Sequence, residues 1–157
     1  MILLSTNQAI IVYFLKNAER IKGKLCKGQC ECEECYSRPF TLCFRIIYIL
    51  ERAFRGYTQS YIHSYPYTVL RSLKDQKIIE CTLAPAKYSR FRRIKIKLAS
   101  LIDNSEFGVR VWSEEEERVV NMRIEDYVEG NLSLDDILEN VRRKYFPMAN
   151  KDIKKSC

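Results

Sequence analysis

The chain has 157 residues, 46% of them apolar and 30% charged, with ten Tyr and seven Phe. That is material for one core with an appendage, too short for two full domains and too apolar for a disordered chain. The formal charge of +7 is uneven: residues 36–100 carry thirteen Lys or Arg against Glu51, Asp75 and Glu80, a net of +10, while residues 1–35 net +1 and residues 101–157 net −4. A cationic segment of this kind attracts a polyanion through counterion release, and it equally attracts an acidic protein face.

Thr6 to Leu25 places Ile10, Phe14, Ala18, Ile21 and Leu25 three and four apart, which predicts one amphipathic helix. The apolar run within it, Ala9 to Leu15, is too short for a membrane span and has no basic flank of the kind that opens a signal peptide. The expectation is therefore a cytoplasmic protein without a membrane segment.

Cys26, Cys30, Cys32 and Cys35 follow within ten residues, beside Gly28. With no secretory signal, thiols so close together read first as metal ligands or free cytosolic thiols. Four thiolates suit a structural zinc, although the longer loop that separates two Cys pairs in a finger is missing. An iron-sulfur cluster, one or two disulfides, and a polar loop of free thiols stay open as alternatives. Cys43 and Cys81 fall on apolar stripes and read as small core residues.

Pro39 suits the first turn of a helix, and Cys43, Ile46, Ile47, Leu50 and Phe54 repeat along one face until Arg55 and Gly56. Thr58 can cap a short second helix carrying Tyr61 and Ile62, and Ser64 a third in which Leu70 and Leu73 point inward. Ile78 to Leu83 then reads as a strand, the segment around Pro85 as a turn, and Arg93 to Leu98 as a second strand alternating between basic and apolar residues. Beyond Ser100 the chain turns acidic. Glu114 to Glu117 after Ser113 predict a helix N-terminus, continued by Val120, Ile124 and Tyr127 to Gly130. A last helix is expected from Ser133, with Leu134, Ile137, Leu138, Val141 and Tyr145 on its apolar side and Pro147 after it.

From Ser64 to Leu98 this order of elements resembles the winged helix-turn-helix family. Leu70 and Leu73 match its recognition-helix positions, Ile78 and Ile79 the aliphatic pair that opens the wing, and Arg90 to Leu98 the returning strand. The match spans about residues 39–98. Lys77 stands where the family prefers glycine, so the helix is expected to end without the left-handed residue that glycine permits, and Pro66 stands where an aliphatic is common.

The resemblance implies a fold that is mainly α with a small β-hairpin wing, an α+β winged helix-turn-helix core with helical extensions at both ends. It also implies that the third helix enters the major groove of double-stranded DNA, exposing Ser64, Tyr67, Thr68, Arg71, Ser72 and Lys74. Arg71 would make the bidentate contact to guanine, while the hydroxyls would hold phosphates. The wing would present Lys87, Tyr88, Arg90, Arg92, Arg93, Lys95 and Lys97 to the backbone or minor groove.

Three regions follow: an N-terminal helix and Cys-rich loop (1–35), a DNA-binding module (36–100) and an acidic helical association region (101–157). Two amphipathic helices in the last suggest a homodimer reading paired half-sites, or the completion of one monomeric core. The expected function is sequence-specific DNA binding as a small transcriptional repressor. The alternatives are a winged-helix component of the transcription or replication machinery acting through protein contacts, and a metal-dependent nuclease drawing on Asp103, Glu106, Glu114 and Asp126. His63 is the sole histidine and lacks an evident orienting partner, so no catalytic residue is assigned.

Overall fold

A short first strand, β1 (Ile2–Leu4), leads through Ser5 into helix α1 (Thr6–Lys16). Ser5 closes a capping box: its hydroxyl accepts from the Gln8 N–H at 3.2 Å, and the Gln8 side chain accepts from the Ser5 N–H at 3.0 Å. Every residue of α1 from Gln8 to Leu15 is buried, so the helix runs through the core instead of lying on it with one apolar stripe.

The predicted single helix to Leu25 is broken at Asn17. That residue leaves helical geometry, and both its N–H and its side-chain amide bond back to the Tyr13 carbonyl, at 3.2 and 2.9 Å. Helix α2 (Ala18–Leu25) restarts at once, and the predicted stripe survives the break, with Ile10, Phe14, Ala18, Ile21 and Leu25 all buried.

The computed structural model describes residues 1–25, 41–58, 66–81, 95–102 and 104–145. After α2 the chain continues with strand β2 (Leu42–Cys43) and helix α3 (Phe44–Thr58), so Cys43 is a strand residue and not the start of the helical stripe. Ile46, Ile47, Leu50 and Phe54 form the buried side of α3 as their spacing predicts. The second helix expected around Tyr61 and Ile62 lies outside the described residues.

Helix α4 (Pro66–Asp75) buries Val69, Leu70 and Leu73 and ends at a Schellman turn. Ile78 N–H bonds to the Leu73 carbonyl and Lys77 N–H to the Lys74 carbonyl, both at 2.9 Å. The expectation that no left-handed residue closes this helix is corrected, since Lys77 itself takes φ 61°. Burial of Ile78 against Leu73 across the turn offsets the cost of that conformation in a residue with a Cβ.

Strands β3 (Ile79–Glu80) and β4 (Lys95–Leu98) pair antiparallel with Ile79 opposite Leu98, and β2 joins the other side of β4 with Leu42 opposite Ile96. The order of this sheet is β2–β4–β3. β4 alternates as predicted: Ile96 and Leu98 are buried, Lys95 and Lys97 half-buried.

The region after residue 100 departs most from expectation. In place of a helix from Ser113, strands β5 (Phe107–Ser113) and β6 (Arg118–Arg123) form a hairpin turning at Glu114 to Glu117. Ser113 makes the bond expected of a helix cap, accepting from Glu116 N–H at 3.2 Å, but it closes a turn instead. Four consecutive carboxylates stay exposed at a hairpin tip, where Glu116 pairs with Arg118 at 3.4 Å, and the β-branched pair Val119–Val120 with alternating Phe107, Val109 and Val111 suits strands. β5 also pairs in parallel with β1, so this second sheet has the order β1–β5–β6.

Helices α5 (Ile124–Glu129) and α6 (Leu134–Tyr145) complete the described chain. The cap predicted at Ser133 is present, its hydroxyl accepting from Asp136 N–H at 3.2 Å. Ile124, Val128, Leu134, Ile137, Leu138 and Val141 are buried, α5 against α1 and α6 against α2 and α3. Their buried apolar sides thus contribute to the core of this chain.

Among the described residues the architecture is α+β, with six helices and two three-stranded sheets around one apolar cluster running from Leu4 to Val141. No described helix is long and apolar enough to cross a membrane.

Candidate functional site

Helix α4 sorts its side chains by position. Val69, Leu70 and Leu73 are buried against α1 and α3, which leaves Thr68, Arg71 and Lys74 exposed and Tyr67 half-buried. Thr68 and Arg71, and Arg71 and Lys74, stand three apart, and Tyr67 stands four before Arg71, so these side chains occupy one outward face. Arg71 and Lys74 give that face its positive charge.

Ser72 differs from its neighbours. It is half-buried, and its hydroxyl accepts from Gln8 Nε2 at 3.0 Å and from Gln76 Nε2 at 3.3 Å. Its first role is to tie α4 to α1, and only the hydroxyl proton is left to donate outward.

Of the predicted wing, Lys95 is described: it lies half-buried on β4 opposite Cys43. Lys97, next on the same face, pairs with Glu80 across the hairpin at 3.3 Å. Ser64, Lys87, Tyr88, Arg90, Arg92 and Arg93 lie outside the described residues, as do Cys26, Cys30, Cys32 and Cys35, the four proposed metal ligands, and His63.

Two of the three acidic groups in the basic segment are engaged internally. Lys97 takes Glu80, and Arg55 takes Glu51 at 3.2 Å in an almost fully buried pair on α3. Arg55 also donates to the Asn7 side-chain oxygen on α1. Each pair cancels one charge of each sign, so the net of +10 rests on the other basic residues of the segment with Asp75 as their one acidic neighbour in sequence.

The sequence does not single out Tyr48 and Arg52, which the structure places one turn apart on α3, both exposed. Arg52 donates to the Tyr48 hydroxyl at 2.8 Å and its guanidinium lies 5.4 Å from the ring centre. Their i, i+4 spacing of aromatic and basic residues is the signal that was available, although a solvated helix face carries the same signal.

Cys43 is buried and Cys81 is a half-buried thiol. Burial pushes the Cys81 thiol up from its ordinary value, with the Lys74 ammonium partly opposing the shift, which leaves it protonated and a poor nucleophile at neutral pH. Among the described residues no three His, Cys, Asp or Glu side chains converge as a metal site would require, and Glu106, Glu114 and Asp126 are among those residues while Asp103 is not. No protein-family model, curated protein or solved structure matches the chain.

Proposed function

We propose that the protein binds double-stranded DNA, with α4 as the helix that enters the major groove and the β3–β4 hairpin as a wing beside it, and that it acts as a sequence-specific transcriptional regulator. The observation that carries this proposal is the division of α4: Val69, Leu70 and Leu73 anchor it in the core while Thr68, Arg71 and Lys74 stand outward on one face. Such a helix presents a planar, bidentate donor to base edges and flanks it with groups that hold phosphates.

Three features of the fold support the same reading. The Gln8–Ser72 bond and the packing of α4 on α1 and α3 anchor the helix to the core, as a helix presenting side chains to base edges requires. The Schellman turn at Lys77 delivers the chain from α4 straight into β3, so the hairpin starts beside the C-terminal end of the helix. Strand β2, directly ahead of α3, pairs with β4 and ties the hairpin to the helices. With this packing α1, α3 and α4 form a helical cluster from which the hairpin extends.

Selection from a random duplex pool tests the proposal. Enrichment of one sequence, bound in preference to its scrambled version and recovered uncut, is the expected result. Failure to enrich any sequence would reject sequence-specific recognition, and cut DNA would favour the nuclease alternative.

A further inference from the structure

The outer face of the β1–β5–β6 sheet exposes apolar side chains that no described element covers. Alternation along the hairpin sends Phe107, Val109 and Val111 into the core and Arg110 and Trp112 outward on β5, with Val119, Asn121 and Arg123 outward on β6. Trp112 is 62% and Val119 56% exposed, and the two are directly paired across the strands. Leu3 on β1, beside Gly108, extends the face. A tryptophan is among the costliest side chains to leave in water, and an apolar cluster rimmed by charge marks an interaction surface.

The charges on this face are arranged end to end. Beyond Trp112 and Val119 lies the tip, Glu114 to Glu117, all exposed and net acidic although Arg118 pairs with Glu116 at 3.4 Å. Behind them lie Arg110, which has no ion-pair partner among the described residues, and Arg123, which pairs with Glu125 at 3.7 Å. One end is therefore acidic, the middle apolar and the other end basic. A two-fold axis in the plane of contact and perpendicular to the strands lays such a face on a second copy of itself with each acidic tip over the other's arginines.

We infer that this sheet face is a homodimer interface, in which two copies pack face to face with Trp112 at the centre and Glu114 to Glu117 of each copy against Arg110 and Arg123 of the other. An external acidic or basic partner would match only one end of the face, whereas a second copy matches both. Association thus falls to a hairpin, while the apolar sides of α5 and α6 serve the core of each protomer. The inference is independent of DNA binding, since it concerns the free protein.

Sedimentation equilibrium of the full chain without DNA, across a wide concentration range, tests it, with circular dichroism as the check on folding. Trp112 is the sole tryptophan, so its emission reports the interface directly and is expected to shift to the blue as dimer forms. Replacing this exposed residue, Trp112→Ala, should weaken the dimer by about thirtyfold, the effect of losing an interface anchor, and leave the fold intact. Arg110→Glu with Arg123→Glu should also dissociate it, and adding Glu114→Lys with Glu117→Lys should restore it, because each copy then carries both reversed ends. A wild-type chain that is monomeric at every concentration would overturn the inference. So would a dimer indifferent to Trp112→Ala, or a charge reversal that the second pair of substitutions fails to rescue.

Discussion

Gln8 Nε2 donates to Ser72 Oγ at 3.0 Å, joining the first turn of α1 to the middle of α4 across 64 residues of chain. The same Gln8 side chain closes the capping box with Ser5. One buried amide therefore starts the central helix and fixes the helix assigned to recognition. Gln8→Ala should lower stability by about 1–3 kcal/mol, the cost of losing the Gln8 half of the capping box and of a half-buried hydroxyl left with one partner fewer. Gln8→Glu keeps an acceptor for the Ser5 N–H and loses the donor to Ser72, so urea unfolding should place it between Ala and wild type. Equal stability of all three proteins would show that the link carries no load.

Lys77 pays for a left-handed backbone that glycine adopts freely. Lys77→Gly should stabilise the fold by up to about 1 kcal/mol, the gain being reduced by the larger entropy of glycine in the unfolded chain. Lys77→Val should destabilise it, because a β-branched residue tolerates positive φ least. Thermal unfolding of the two variants in parallel checks the sign of each; a loss on introducing glycine would contradict the Schellman assignment.

The Glu51–Arg55 pair is buried on α3, with Arg55 reaching Asn7 on α1. Removing one partner leaves a charge in the core, so Glu51→Ala or Arg55→Ala should each cost about 3–5 kcal/mol. Glu51→Leu with Arg55→Met removes both charges and should recover most of that loss. A double variant as unstable as either alanine substitution would indicate that Asn7 and the pair's remaining contacts matter more than the charges.

Tyr13 is buried on α1, and desolvation, reinforced by the Glu129 carboxylate, raises its phenol above the ordinary value of 10.0. The folded protein holds this proton more tightly than the unfolded chain does. The corresponding stability is fully present below about pH 10 and is lost progressively as pH rises from there toward the higher folded value. Tyr13→Phe should therefore flatten the fall in stability above pH 10 relative to wild type, as denaturant midpoints across that range would register. Parallel alkaline limbs would place the shift elsewhere.

Much of the fold is legible from local pattern. Leu70 and Leu73 of α4, the stripe of α6 from Leu134 to Val141, the Ser133 cap and the alternation of β4 all follow from spacing, because each element presents one face to the core. Where a residue's local chemistry fits two structures, tertiary pairing decides. Ser113 followed by four Glu fits a helix start and a polar turn equally, and the parallel partner β1, more than a hundred residues earlier, selects the strand. Asn17 interrupts a stripe that the interruption does not disturb, so no periodicity could reveal it.

The candidate site divides in the same way. Thr68, Arg71 and Lys74 are exposed as their positions relative to Leu70 and Leu73 require. The inward bond of Ser72 needs Gln8, which no local rule places beside it, and Arg52 with Tyr48 becomes distinct only once α3 has an outside.

The central claim, that the outward face of α4 reads DNA while the wing holds its backbone, is tested most directly by binding measured over a salt series. Fluorescence anisotropy of a labelled selected duplex and a random one would compare wild type, Arg71→Ala and Arg93→Ala. Arg71→Ala should cost about 1–3 kcal/mol on the selected duplex and little on the random one, whereas Arg93→Ala should weaken both and flatten the salt slope by about one unit. Absence of binding at low salt, or an equal loss on both duplexes from Arg71→Ala, would contradict the account.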